Sequence, residues 1–248
     1  MFGYVRYAVI KNLKIYGEQI DGCGLVNGYT VDYGKAGVYT GEPVETVTID
    51  NVTLLNGSST KYSGFIGGMA SGVNVVYIRN SVIEDNVTIG YDKSSSEIGS
   101  FAGAINGYIE NCVSYATVYG VDYVGGIAGR KAQTMGPCQV KNCSFEGSIE
   151  ASGTYVGGIV GSGYAGGSGY NIDSAPNTPC VTIQNCYAAG TIKASDYVGG
   201  IFGGEPACKE CWANGIGYIQ NNHFAGTIEC SGSNKGGINR LYAISGQV

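Results

Sequence analysis

One phrase recurs along this chain: Tyr123-Val-Gly-Gly-Ile-Ala-Gly129, Tyr155-Val-Gly-Gly-Ile-Val-Gly161 and Tyr197-Val-Gly-Gly-Ile-Phe-Gly203. Each copy follows an Asn-Cys pair at a nearly fixed distance, so the chain is an array in which period outweighs any single residue. The asparagines extend the pattern. Asn12, Asn51, Asn80, Asn111, Asn142, Asn185 and Asn221 each have Ile or Val two residues earlier, and they lie about 30 to 40 residues apart. An Ile or Val follows seven positions after the later anchors, at Val87, Val118, Ile149, Ile192 and Ile228. A glycine then closes each unit, at Gly24, Gly68, Gly103, Gly126, Gly158, Gly200 and Gly237.

These residue types predict an all-β fold: a single-stranded, right-handed parallel β-helix of about seven coils, one domain over residues 1–248. Each coil is expected to carry about three short strands, with neighbouring coils pairing at ~4.8 Å. Asparagine tolerates the left-handed backbone of a sharp bend, and its stacked amides form a ladder. Glycine serves the other bends and close strand contacts, while Ile and Val stack inside. Right-handedness comes from the general rule for parallel crossovers. Glu150, Lys193 and Glu229 follow aligned isoleucines, so they are expected side by side with alternating sign. Loops are expected at 92–100, 132–138, 162–179 and 204–216, where Gly, Ser and Pro accumulate.

Composition sharpens this picture. Glycine (43 of 248 residues) and tyrosine (20) are abundant, and charged residues make up 13 %. With Val and Ile regularly placed, that favours many short strands over disorder. A net charge of −5 and a pI near 4.9 exclude the basic face that nucleic acid needs. No polybasic patch and no long apolar run provides for insertion in a membrane. Met1-Phe2-Gly3-Tyr4 is no signal peptide, and the repeat begins almost at once. A segment of a longer protein with flanking domains is therefore the expectation.

The Tyr-Val-Gly-Gly-Ile-x-Gly phrases, with the Asn-Cys strands before them, resemble the GLUG-motif repeats of bacterial cell-surface and secreted proteins. The resemblance is sharp over residues 108–204. In the first unit Cys23-Gly-Leu-Val-Asn-Gly28 replaces the phrase, and Lys235-Gly-Gly-Ile-Asn239 departs from it after the glycines. It implies an extracellular stalk or adhesive module, with a host or bacterial surface protein or glycan as partner. It implies no single activity and no cofactor.

Candidate sites weigh differently. Cys112, Cys143 and Cys186 follow their anchors directly and should form one column, packed as small hydrophobes or bridged between coils. Cys138, Cys180, Cys208 and Cys211 fall on one expected edge, where they could hold zinc, pair as disulfides, or stay unpaired. Nine cysteines leave at least one unpaired within the chain. Asp122 and Asp196 share a repeat position with Thr154 between them. Two coil steps would separate these carboxylates by roughly 9–10 Å, at the outer edge of the spacing in inverting glycosidases; turn-forming is the stronger reading of both.

Glu84, Asp85 and the stretch 42–45 read as turn and surface groups. His223 occupies the repeat slot of Tyr187, Ser144 and Val113. A dinucleotide-like pattern at 161–166 lacks the following helix, and a calcium-repeat likeness at 166–173 occurs once; neither is a site. The tyrosines are the outward candidates. Tyr123, Tyr155 and Tyr197 are expected to stack, with Phe65 further back. The row serves either as a stabilising ladder or as a platform for sugars or a partner, extended by Tyr164 and Tyr170. The leading expectation is a non-enzymatic adhesion or spacer module; the alternative is a glycan-binding or polysaccharide-degrading domain of hydrolase or lyase type.

Overall fold

The computed structural model describes residues 1–5, 7–29, 46–67, 75–132, 138–163, 181–204 and 218–238. Among these there is no helix, and every strand pairing is parallel. The chain is an all-β, solenoid-like stack.

One repeat unit shows how the sequence builds it. Gly107–Glu110 forms a first strand, Val113–Ser114 a second, Thr117–Gly120 a third, Val124–Gly125 a fourth and Ala128–Lys131 a fifth. The next unit repeats them as Cys138–Lys141, Ser144–Phe145, Ser148–Ala151, Thr154–Gly157 and Val160–Ser162. Each strand pairs in register with its counterpart. A unit thus carries five strand segments where three were expected. The glycine-rich phrase forms the two extra: its Tyr-Val-Gly and its Ala/Val-Gly halves sit on separate ladders.

All seven anchor asparagines are left-handed, with φ between 52° and 57°. This is the backbone region that asparagine enters at least cost. The bend separates the first ladder from the second, though in Val9–Ile15 and Thr46–Leu54 the strand runs through it. Side-chain amides link Asn51 to Asn12 (2.8 Å), Asn111 to Asn80 (3.4 Å), Asn142 to Asn111 (3.3 Å) and Asn185 to Asn142 (3.2 Å). Between Asn51 and Asn80 the ladder breaks: the Asn80 amide donates instead to Asp50 Oδ1 at 2.8 Å.

The core consists of columns. Ile49, Ile78, Ile109, Val140 and Ile183 stack on the first ladder, each at most 1 % exposed. On the third, Val118, Ile149 and Ile192 continue from Ile89 and not from Val87. The turn at Asp85-Asn86, with Asn86 left-handed, adds two residues there and displaces the count. Phe65 also moves from its expected place. It lies on the interior column of Leu25, Phe101, Ile127, Ile159 and Ile201, fully buried, with its ring edge-on to Phe101 at 5.0 Å.

The glycines of the phrase act through space and not through φ, since none is left-handed. A Cβ on Gly126 would stand 2.1 Å from the Gly158 carbonyl oxygen and 2.4 Å from the Phe145 ring. Gly158 faces Gly200 and Ala188 in the same way, and Gly200 faces Phe224. Their slot continues back to Ser100 and Gly64, so Gly103 belongs with Gly129, Gly161 and Gly203 instead. Gly68 lies outside the described residues. A Cβ at Gly161 would meet the carbonyl oxygens of Gly129 and Val124 at 2.6 Å. Fourth and fifth ladders therefore press backbone to backbone, which only glycine permits.

Candidate functional site

Where the phrase begins, the chain makes a second left-handed corner, and there it uses tyrosine. Tyr123, Tyr155 and Tyr197 have φ of 58°, 61° and 52°. A left-handed conformation costs an L-residue about 1–2 kcal/mol unless it is Gly, Asn or Asp. Pairing of Val124 with Val156 and Val198 fixes the three corners in register. Their rings stack at 5.5 Å and 6° for Tyr123–Tyr155, and at 4.9 Å and 17° for Tyr155–Tyr197. All three are half-buried. Glu97 holds the preceding slot at φ 62° and pairs with buried Arg130 at 2.8 Å; Asn234 holds the following one.

The residue before each tyrosine ties the corners together. Asp122 Oδ1 accepts the Thr154 backbone N–H at 2.7 Å and the Thr154 hydroxyl at 3.2 Å. Asp196 accepts the Asn234 backbone N–H at 2.9 Å and its side-chain amide at 2.8 Å. Asp122, Thr154 and Asp196 do share one repeat slot, and each of the two carboxylates caps the unit that follows.

The cysteine column is built as expected. Cys112, Cys143 and Cys186 are unbridged and at most 2 % exposed. Each thiol donates to the carbonyl two residues before it, at 3.2, 3.2 and 3.3 Å, and faces a carbonyl of the preceding unit at 3.8, 3.5 and 3.5 Å. Ser81 and Asn222 close the column with the same kind of bond. Burial, reinforced by the Cys112 thiol, pushes the Cys143 thiol well up. Cys186 is pushed up chiefly by its hydrogen bond with Cys143, and then by burial. Cys23, elsewhere in the core, is pushed up to about 12 by burial.

Cys138 is buried on the first ladder; Cys180, Cys208 and Cys211 lie outside the described residues, as do Tyr164, Tyr170 and the stretch 42–45. Among the described residues no group of three or more His, Cys, Asp or Glu is placed to hold a metal. His223 stacks on Tyr187 at 5.8 Å. Glu84 Oε2 accepts the Asn56 backbone N–H at 2.9 Å, and Asp85 Oδ1 accepts its amide at 2.7 Å, so both act as turn ties.

Two surface columns escaped the sequence reading. Lys11, Asp50, Arg79, Glu110 and Lys141 neighbour one another in that order, alternating in sign. Asp50 pairs with Arg79 at 3.0 Å, and hydrogen bonds from Asn80 and Arg79 hold its carboxyl below the usual range. Each of the five immediately precedes an anchor asparagine, a signal that aligning that position would have revealed. Ser59, Thr88, Thr117 and Ser148 form a hydroxyl row on the third ladder, continued by Thr191 and Thr227. The expected column of Glu150, Lys193 and Glu229 is present.

Comparison with family models, with curated proteins and with solved structures finds no match. The functional reading therefore rests on the geometry of the chain itself.

Proposed function

We propose that this chain is an extracellular, non-enzymatic adhesion or spacer module of a bacterial surface protein, related to the GLUG-motif repeats. In this reading it is a right-handed β-helix of about seven coils that turns its tyrosine row toward a protein or glycan ligand. The observation carrying the proposal is the continuous in-register pairing of unit upon unit along the first ladder, from Val9–Ile15 to Tyr218–Gln220. An array in which every internal edge is paired is stiff and resists proteases. The seven left-handed asparagines support the coil count, and the crossover rule supports the hand. Carboxylates spent on capping backbone N–H groups favour a structural surface over a hydrolytic one.

Antibodies raised against the chain test the proposal on intact cells of its source. Labelling without permeabilisation is expected, as is adhesion of beads coated with the purified chain to cells or matrix. Labelling confined to permeabilised cells would overturn the extracellular assignment.

A further inference from the structure

We propose that under axial tension this chain is a yielding tether: it peels one repeat unit at a time, beginning with its C-terminal unit, and closes again when the load falls. The proposal rests on reading the chain as a spacer, and it adds how that spacer answers force.

The fold sets the direction of loading. Along the first ladder the units lie in chain order, from Val9–Ile15 at one end to Tyr218–Gln220 at the other. A pull applied through the first and last of these strands therefore acts along the stack. Hydrogen bonds between parallel strands run from strand to strand, so they lie along the load while the strands lie across it. Such a load opens the bonds of one unit in succession, as a zipper opens, and does not strain all units together. Each unit is held by its neighbours alone, so one can leave while the rest persist.

The two ends are unequal. At the N-terminal end the 7-residue strand Val9–Ile15 pairs with the 9-residue Thr46–Leu54 on both sides of the asparagine bend, and the Asn51 amide donates to Asn12 at 2.8 Å. Ile15, Cys23, Leu25 and Val26 of that unit are at most 2 % exposed. At the C-terminal end the first-ladder strand has 3 residues. Ile219, Phe224 and Ile228 continue interior columns there, yet they are only half-buried. A cavity of about 320 Å³ opens beside Ile201, Ile219, Phe224 and Gly237. In earlier units that place is filled: Gly126 faces the Phe145 ring and Gly200 the Phe224 ring, whereas Gly237 meets nothing within 4 Å among the described residues. Apolar area left in water does not hold a unit in place, so the last unit yields first.

Each departure leaves the edge of the next unit open, and an open edge is a template on which the released strands pair again. Anchor spacing fixes the length released. Asn221 follows Asn185 by 36 residues, Asn185 follows Asn142 by 43, and the two preceding intervals, from Asn80 to Asn111 and from Asn111 to Asn142, are 31 each. At about 3.3–3.6 Å per extended residue, less the ~4.8 Å a unit spans in the stack, the steps after the first are about 120, 145, 100 and 100 Å, in that order.

Optical-tweezers extension of the full chain, held by handles at its two termini, tests this directly. A staircase of unit-sized steps is expected, the 36-residue step before the 43-residue one, with the steps recovered on relaxation. Asn185→Ala removes the amide bond to Asn142 and puts an alanine at φ 55°. It should lower the force of the 36-residue step and leave both 31-residue steps unchanged. A single rip releasing the whole array, a series that begins with the 39-residue unit between Asn12 and Asn51, steps that do not recover, or an equal loss of force at every step in Asn185→Ala would each overturn the proposal. Surface labelling that persists in such a case leaves a rigid spacer standing. Labelling confined to permeabilised cells would remove the surface-spacer reading itself, whatever the extension traces show.

Discussion

The chain turns twice per unit through left-handed residues, once at asparagine and once at tyrosine, and the two corners solve the same backbone problem differently. Asn111, Asn142 and Asn185 sit where their residue type is most comfortable, and their amides extend a ladder that needs nothing from solvent. Behind them lie thiols sealed in the core. Tyr123, Tyr155 and Tyr197 sit where their residue type is least comfortable, held by glycine-tight packing behind and by ring stacking in front. One corner is made by its own propensity and the other is imposed by its surroundings. Substitutions should separate the two.

The largest effect belongs to the packing that imposes the tyrosine corner. Gly126→Val places atoms inside the 2.1 Å and 2.4 Å approaches of the Gly158 carbonyl and the Phe145 ring. Neither backbone nor a fully buried ring yields easily, so a loss above about 4 kcal/mol, or no folded protein, is expected in urea denaturation. Gly237→Ala, at the equivalent slot of the last described unit, meets nothing within 4 Å among the described residues and should stay within about 0.5 kcal/mol. Equal behaviour of the two variants would show that close approach is not what glycine supplies.

Next comes the asparagine corner. Asn142→Ala puts an alanine at φ 53° and removes amide bonds to both Asn111 and Asn185. Alanine strain together with two exposed hydrogen bonds amounts to about 2 kcal/mol. Asn12→Ala, at the end of its ladder with one amide partner, Asn51, should cost less. A reversed order would deny the ladder any part in stability.

The thiols behind that corner give a pH test. An unfolded cysteine ionises near its ordinary value of 9.0, whereas the Cys143 and Cys186 thiols are pushed above it. Above about pH 9 the native state therefore keeps protons that the unfolded chain has lost, and stability falls as pH rises. For Cys23 the decline runs from 9.0 to about 12. Each of Cys23, Cys143 and Cys186 steepens the fall by up to about 1.4 kcal/mol per pH unit. Between about pH 9 and pH 10, Cys143→Ala should lose about 1 kcal/mol less than the parent chain. Parallel curves for the two proteins would show that the thiol ionises in the fold.

Much of this was legible in sequence because it repeats. Anchors, thiol column and tyrosine row all reappear at the positions that the alignment of units gave them. The register is hidden where unit length changes without a visible marker. Val87 stood in for Ile89 because a two-residue turn at Asp85-Asn86 keeps the same residue types, and Gly103 stood in for Ser100 because a glycine-rich phrase offers several glycines to count from. As an aromatic, Phe65 resembles the tyrosines in sequence, yet a phenyl ring without a hydroxyl belongs to the dry column with Phe101. The left-handed tyrosine was not legible at all. Propensity argues against it, and only tertiary packing overrides propensity there.

Exchanging the corner residues is the most direct comparison and carries the smallest expected effect. Tyr155→Asn relieves the strain at φ 61°, worth about 1–2 kcal/mol. It also removes two stacked contacts of about 0.5–1.5 kcal/mol each, along with half-buried ring area. The opposing terms are of similar size, so the net change should stay within about 1 kcal/mol by urea denaturation. Asn142→Tyr has no such offset: strain enters, the amide ladder breaks, and no neighbouring ring waits to stack. It should destabilise by about 2 kcal/mol or more. Near-neutrality of Tyr155→Asn would mean that folding does not require tyrosine at this corner, leaving the outward edge of the row as the reason for its presence. A loss above about 3 kcal/mol would instead make the stack a structural necessity, and the two corners would then differ in chemistry but not in purpose.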